Sequence, residues 1–269
     1  MGITYAGSTL GGGVAPLVRT FQNSATVYEG QIVMDSGADT GTGHVEVLPV
    51  AAQDNEDDHP ILGVVGAVRN INDLTVAGSG LGKTATYDTT QASQILNDPI
   101  GASTVDVIVA IPGISMFRAP IYNGTYGTAL TELTVTSAST DGLAVTHASD
   151  TAIASPDKFT TVYCRKGANR GVSRIVTTVA TGSQTVTVAF PYDTAVGDEF
   201  VSVNLKLGLS RVYFDSTASF IDASAVVSSN YYYIYVHELN LEESGKEYAV
   251  FSFCNNCCAL AGPAGQLGF

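Results

Sequence analysis

Gly182–Phe200 reads GSQTVTVAFPYDTAVGDEF, a run of alternating Thr and Val without a charge until Asp193. Period-two alternation places Val186, Val188 and Phe190 on one face of a strand and Thr185 and Thr187 on the other. A second β-branched run, Val172–Ala180, precedes it, and Thr181-Gly182-Ser183 between them is a short Gly-containing loop of the kind that closes a hairpin. Threonine on the outer face keeps a strand soluble without charge. Such a hairpin suits either the buried sheet of an enzyme or a protein built into a shell, and the rest of the sequence decides between them.

Period-two alternation recurs along the chain, while the 3.6-residue pattern of an amphipathic helix is nearly absent. Strands are predicted near Gln31–Met34, His44–Pro49, Ile61–Val68 and Val105–Ala110. Thr89–Asn97 is the one segment suited to a short helix, with Asp88 as its N-cap. The expected fold is mainly β, in two to three small β-barrel or β-sandwich modules. Residues 1–20, with Gly11, Gly12 and Gly13 together, read as a flexible N-terminal arm that orders only when it lies on a neighbour. Residues 21–117 form a first β module, 118–205 a second containing the hairpin 172–190, and 206–269 a third. In that third module YYYIYVHEL, Tyr231–Leu239, is one strand, Glu243-Ser244-Gly245-Lys246 a turn, and EYAVFSF the returning strand. Tyr231, Tyr233, Tyr235 and His237 share a face, an amphipathic surface of a type enriched at interfaces and equally compatible with packing inside the monomer.

Charged residues make up 14% of the 269 positions and hydrophobic ones 45%, against a usual charged share of about a quarter. Much of the surface must therefore be Ser, Thr, Asn, Gly and apolar groups, which suits burial against other subunits. The net charge of −13, with only 12 Lys and Arg, opposes binding to a polyphosphate backbone, so no nucleic-acid partner is expected. The most apolar run, Val105–Ile114, carries Asp106 and is broken by Pro112, well short of the roughly twenty residues a membrane span needs. The opening MGITYAGSTLGGGVAP lacks a basic region and an apolar core, so no secretory signal is expected and a cytosolic site of folding is.

Charge is also unevenly placed. Between Thr20 and Val68 stand Glu29, Asp35, Asp39, Glu46, Asp54, Glu56, Asp57 and Asp58, without a Lys or Arg. Conversely, Lys158–Tyr192 holds Lys158, Arg165, Lys166, Arg170 and Arg174, without an acid. Opposite patches of this sort can pair between copies and set their register, or can simply be solvated loops.

Three motifs invite a chemical reading. AGSGLGKT, Ala77–Thr84, is one residue away from a phosphate-binding loop, with Ala77 in place of the first Gly. Such a loop needs a helix after it, and ATYDTT is a poor first helical turn. VDVIVAIPG, the best candidate for a second, magnesium-holding strand, also ends without a carboxylate. In FCNNCC, Phe253–Cys258, Cys254 and Cys257 have the spacing of a zinc half-site. Only the adjacent Cys258 and His237 are at hand to complete four ligands. Free thiols, or a disulfide involving Cys164 or a neighbouring subunit, are the alternatives. DNEDDH, Asp54–His59, offers carboxylates but lacks the spacing and central Gly of a calcium loop, and reads as an acidic turn. No Ser or Cys sits in a nucleophile-elbow context. No cofactor, no metal and no enzymatic activity is therefore expected, with a nucleotide- or zinc-dependent enzyme as the subordinate reading.

VYEGQIVM and VEVLPVAAQDNEDDHPILGVV, within Val27–Val68, resemble the small β domain of tailed-bacteriophage head decoration (cement) proteins. In that domain a strand with an Glu-Gly step is followed by a variable acidic loop and a short Ile-Leu-Gly-Val strand. VDVIVAIPGISMFRAPI, Val105–Ile121, is similar to the strand that closes such a domain. NRGVSRIVTTVATGSQTVTVAFPYDTAVGDEFVSV, Asn169–Val203, resembles a hairpin common in phage structural proteins. The resemblance covers about half the chain and does not extend to Cys254–Cys258 or the Tyr-rich third module. It implies a virion protein on the outer capsid surface, assembled in the host cytoplasm, often as a homotrimer. There it would bind the major capsid protein, reach onto the lattice with its arm and stabilise the head by bridging capsomers. Candidate contacts are Val14, Pro16, Leu17 and Arg19 in the arm, Arg165, Lys166, Arg170 and Arg174 in the positive stretch, and Tyr231, Tyr233 and Tyr235. A tail-tube, fibre or other virion surface protein is the alternative with the same β-rich composition.

Overall fold

A computed structural model describes residues 2–11, 14–23, 27–35, 44–47, 61–69, 84–85, 104–148, 160–180, 182–215, 217–224 and 231–254. Among them there are nineteen strands and no helix, so the fold is mainly β. The predicted helix Thr89–Asn97 lies outside the described residues. The chain divides into two compact units. The first comprises Met1–Ala119, Phe214–Phe220 and Val250–Phe269, and the second Pro120–Tyr213 and Ile221–Ala249. The expected third module, 206–269, is instead shared between the two units.

In the first unit, β1 (Thr4–Ser8), β2 (Val18–Asn23), β3 (Val27–Tyr28), β4 (Ile32–Asp35), β5 (His44–Val47), β6 (Ile61–Arg69), β7 (Thr84–Ala85), β8 (Thr104–Val109) and the start of β9 (Ser115–Tyr122) follow in order. Five of them close into a barrel in the order β2-β5-β4-β6-β8. All its pairings are antiparallel except β2 with β5, where Gln22 lies beside His44. The strand predictions near Gln31, His44, Ile61 and Val105 each correspond to one of these staves. Inward Val27, Val33, Val45, Leu62, Val65, Val105 and Val107 fill the barrel, with Phe21 packed against them. β-Branched side chains suit a pleated surface buried on one side. Gly63 allows β6 and β8 to lie close, since a Cβ there would collide with the Ile108 carbonyl.

Residues 1–20 depart from the expected arm. Thr4–Ser8 pairs antiparallel with β9, Tyr5 lying opposite Phe117, and Val18–Asn23 is a barrel stave. Ile3 is buried, and its amide donates to the Gly30 carbonyl at 2.9 Å. Backbone pairing needs no large side chains, which is why a glycine-rich segment can order within its own chain.

The second unit contains β10 (Glu132–Ser137), β11 (Ala144–His147), β12 (Thr161–Lys166), β13 (Ser173–Ala180), β14 (Ser183–Val186) and β15 (Glu199–Val203). These close into a six-stranded antiparallel barrel in the order β10-β11-β14-β13-β12-β15. Its core is Leu133, Val135, Val145, Val162, Cys164, Val176, Val186, Phe190 and Phe200, with Phe190 and Phe200 in edge-on contact at 5.3 Å. The predicted hairpin is β13–β14, where Ala180 pairs with Ser183 across Gly182 at φ +75°. Alternation then breaks earlier than expected. β14 ends at Val186 and Val188 is 61% exposed, although Val186 and Phe190 are buried. Thr187 still bonds to β13, its amide and hydroxyl both donating to the Ile175 carbonyl at 3.0 and 3.2 Å, and the chain bends beyond it.

The second unit also holds β16 (Gly208–Val212), β17 (Ile221–Asp222), β18 (Tyr232–Asn240) and the start of β19 (Tyr248–Phe253). β16 and β18 pair antiparallel without a bulge, Leu209 opposite Tyr235 and Arg211 opposite Tyr233.

Candidate functional site

The second unit displays apolar side chains on the connection between β14 and β15, residues 187–198. Tyr192 is 63% exposed and Val196 67%, yet the backbone beneath them is pinned. Asn169, fully buried, clamps Tyr192 from both sides: its amide nitrogen donates to the Tyr192 carbonyl at 2.9 Å, and the Tyr192 amide donates to its oxygen at 3.0 Å. Thr194, also buried, donates its hydroxyl to the Ala144 carbonyl and accepts from the Ser139 amide. The Asp198 carboxylate accepts the Ala195 amide at 2.9 Å. Buried polar side chains thus spend their hydrogen-bonding capacity on holding a loop whose apolar tips face water. Exposed apolar groups on a fixed frame lose little entropy when covered.

The outward face of β16 and β18 is the second such surface. Inward Tyr232, Ile234 and Val236 are buried, and Tyr231, Tyr233, Tyr235 and His237 share the other face as the sequence predicts. Tyr231 and Tyr233 meet edge-on at 5.3 Å. The Arg211 guanidinium lies 4.4 Å from the Tyr231 ring centre, a cation–π distance. Tyr235 and its cross-strand neighbour Leu209 are half exposed. His237 contacts the Tyr235 ring at 5.1 Å, and partial burial lowers its pKa. Arg211 and Leu209 belong to this face and escape the sequence reading, because only strand register brings them beside the tyrosines.

Three bases of the positive stretch, Arg165, Lys166 and Arg170, pair with acids of their own unit. Arg165, nearly buried, donates from Nη1 to Glu132 at 3.0 Å, from Nη2 to Glu247 and from Nε to the Leu241 carbonyl at 2.8 Å. Lys166 pairs with Glu199 and Arg170 with Glu242. Arg174 donates to the carbonyls of Ala189 and Ser173 and lies 5.5 Å from the Phe190 ring. The acids that answer these bases come from distant sequence. Lys158 and the acids Asp39, Asp54, Glu56, Asp57 and Asp58 lie outside the described residues.

In the first unit Val14 is exposed and Pro16 and Leu17 are half buried. The Val14 carbonyl accepts from the Tyr5 hydroxyl, and the Leu17 carbonyl from the Val109 amide. Arg19 lies on β2 opposite Val107, exposed. Leu10, the most exposed large apolar side chain named, stands at the start of the connection between β1 and β2.

Among the described residues no group of three or more His, Cys, Asp or Glu side chains is arranged to hold a metal ion. Cys257 and Cys258 lie outside them, as does DNEDDH. Cys164 and Cys254 are free thiols. Burial, reinforced by Asp198, pushes the Cys164 thiol up to about 11, and burial raises Cys254 as well, so neither is an activated nucleophile. Of AGSGLGKT only Thr84 is described, and it starts β7 opposite Tyr28 rather than a helix. No family model, curated protein or solved structure matches the chain.

Proposed function

We propose that the chain is a structural virion protein that binds the outer surface of a phage capsid and stabilises it by bridging capsomers. The observation that carries this reading is the pinned loop of residues 187–198. There Tyr192 and Val196 are presented to solvent on a frame of buried Asn169, Thr194 and Asp198. A side chain of Val size contributes about 1.5–3 kcal/mol when it passes from water to a packed contact. Summed over the copies on a head, modest contacts of this kind resist the outward pressure of packed DNA. The Tyr and Leu face of β16 and β18 supports the same reading, as a surface for the major capsid protein or for another copy in a trimer.

Because residues 1–20 supply β1 and half of β2, deleting them would remove a sheet strand and truncate a barrel stave, and surface substitutions give the cleaner test. Purified chain is added to expanded heads that lack it, and bound protein is measured by co-sedimentation. Tyr192→Asp with Val196→Asp should lower occupancy at least about tenfold while leaving thermal unfolding unchanged. Leu10→Asp with Val14→Asp tests the connection between β1 and β2 in the same way. Wild-type occupancy by both double variants would refute the reading.

A further inference from the structure

Seven residues of the first unit, Phe214–Phe220, are flanked on both sides by segments of the second. Within the first unit this strap is organised around Asp215, itself buried. One carboxylate oxygen accepts the amides of Ser219 and Phe220, at 2.8 and 3.0 Å, and the other accepts the amide of Thr217 at 2.7 Å and the Thr217 hydroxyl. The Asp215 amide donates to the Phe220 carbonyl, closing the loop. Ala218 sits at φ +51°, a left-handed conformation that costs a non-glycine residue energy and persists only where the surroundings impose it. Its carbonyl accepts the amide of Ile32 at 2.8 Å, and the Thr217 carbonyl accepts the Gln31 side chain at 2.7 Å. Phe214 completes a buried ring cluster, 5.9 Å from Phe251 and 6.2 Å from Phe253, with Phe117 on their other side.

The two units depend on the strap unequally. In the second unit its ends are already tied: the Asp222 amide donates to the Tyr213 carbonyl, and Ile221 pairs with Ile121. Each barrel closes from contiguous sequence, the first from Val18 to Val109 and the second from Glu132 to Val203, but it is the first that the strap reaches, at Gln31 and Ile32. Without the strap the first unit loses Phe214 and the acceptors of the Gln31 side-chain amide and the Ile32 backbone amide. We propose that Phe214–Phe220 is a latch: its release opens the first unit while the barrel of the second stays closed, so the first unit's fold is conditional on this short, separately inserted segment. This holds whatever the chain binds.

Native-state hydrogen exchange of the full chain, resolved by peptide mass spectrometry under conditions where rates report opening equilibria, tests it. Asp215→Ala removes four hydrogen bonds to a carboxylate, and Thr217→Ala removes one. Amides of β4, β6 and β8 should exchange at least about tenfold faster in Asp215→Ala, and by a smaller factor in the same strands in Thr217→Ala. Rates in β12, β13 and β15 should stay at the wild-type value. Acceleration confined to the strap's own peptide, or shared equally by both barrels, would overturn the latch. Should Asp215→Ala fail to fold, the pattern in Thr217→Ala decides alone.

Discussion

Arg165 and Glu247 form a charge pair whose side chains are 6% and 0% exposed, and that burial sets the size of the effect when one partner is removed. Arg165→Met takes three hydrogen bonds from the second unit and strands the Glu247 carboxylate, whose second oxygen, Oε2, has no hydrogen-bond partner. Leaving a buried charge uncompensated costs about 3–5 kcal/mol, a large part of the roughly 5–15 kcal/mol that holds a domain together. Glu132 is the internal control. Its side chain is 42% exposed, so Glu132→Gln should cost no more than about 1 kcal/mol. Replacing both buried partners, Arg165→Met with Glu247→Leu, should recover most of the loss, because the penalty lies in the orphaned charge rather than in the missing bond. Urea unfolding followed by circular dichroism and tyrosine fluorescence measures these three variants and the Glu247→Leu single, the chain having 13 Tyr and no Trp. A cost below about 1 kcal/mol for Arg165→Met, or a double variant as unstable as the sum of the two singles, would refute the reasoning.

Gly167 has φ +119°, and a Cβ there would collide with the Asp198 carboxylate, whereas Gly171 has φ +86° and open space around it. Gly167→Ala should therefore destabilise clearly more than Gly171→Ala, whose cost is the backbone strain of about 1 kcal/mol; equal midpoints in urea would contradict the Asp198 contact. Partial burial lowers the His237 pKa, so the folded state binds its proton less readily than the unfolded chain. His237 thus withdraws stability as pH falls through the ordinary imidazole range near 6.5. A proton NMR titration should place its midpoint below that value, and a midpoint at or above it would contradict the assignment. Cys164, buried with its thiol pushed up to about 11, should resist a thiol-specific alkylating reagent at pH 8 until the chain unfolds; labelling at the rate of an unfolded control would show the barrel to be open.

The staves near Ile61 and Val105 and the β13–β14 hairpin were legible because each is a local run of β-branched residues whose period-two pattern survives in the barrel. What was illegible is non-local. Thr4–Ser8 looks like a linker until β9, more than a hundred residues later, supplies its backbone partners. Arg165, Lys166 and Arg170 look unpaired in sequence because Glu132, Glu199, Glu242 and Glu247 come from other strands and turns. Phe214–Phe220 cannot be assigned to the first unit from its letters, since the partners that hold it, Gln31 and Ile32, lie some 186 residues away. The tyrosine face was readable from spacing alone, but Arg211 and Leu209 were not. Val188 was misplaced because alternation cannot anticipate that the strand ends at Val186 and the chain bends over the next two residues.

The claim that the chain serves as an external brace on a phage head is tested most directly by cryo-electron microscopy of intact particles that carry it. The account predicts density for both barrels on the outer face of the head, spanning capsomer boundaries, with the Tyr192 and Val196 loop or the β16–β18 face covered by a neighbour. Density for the chain in the tail, or particles that lack it altogether, would contradict the account.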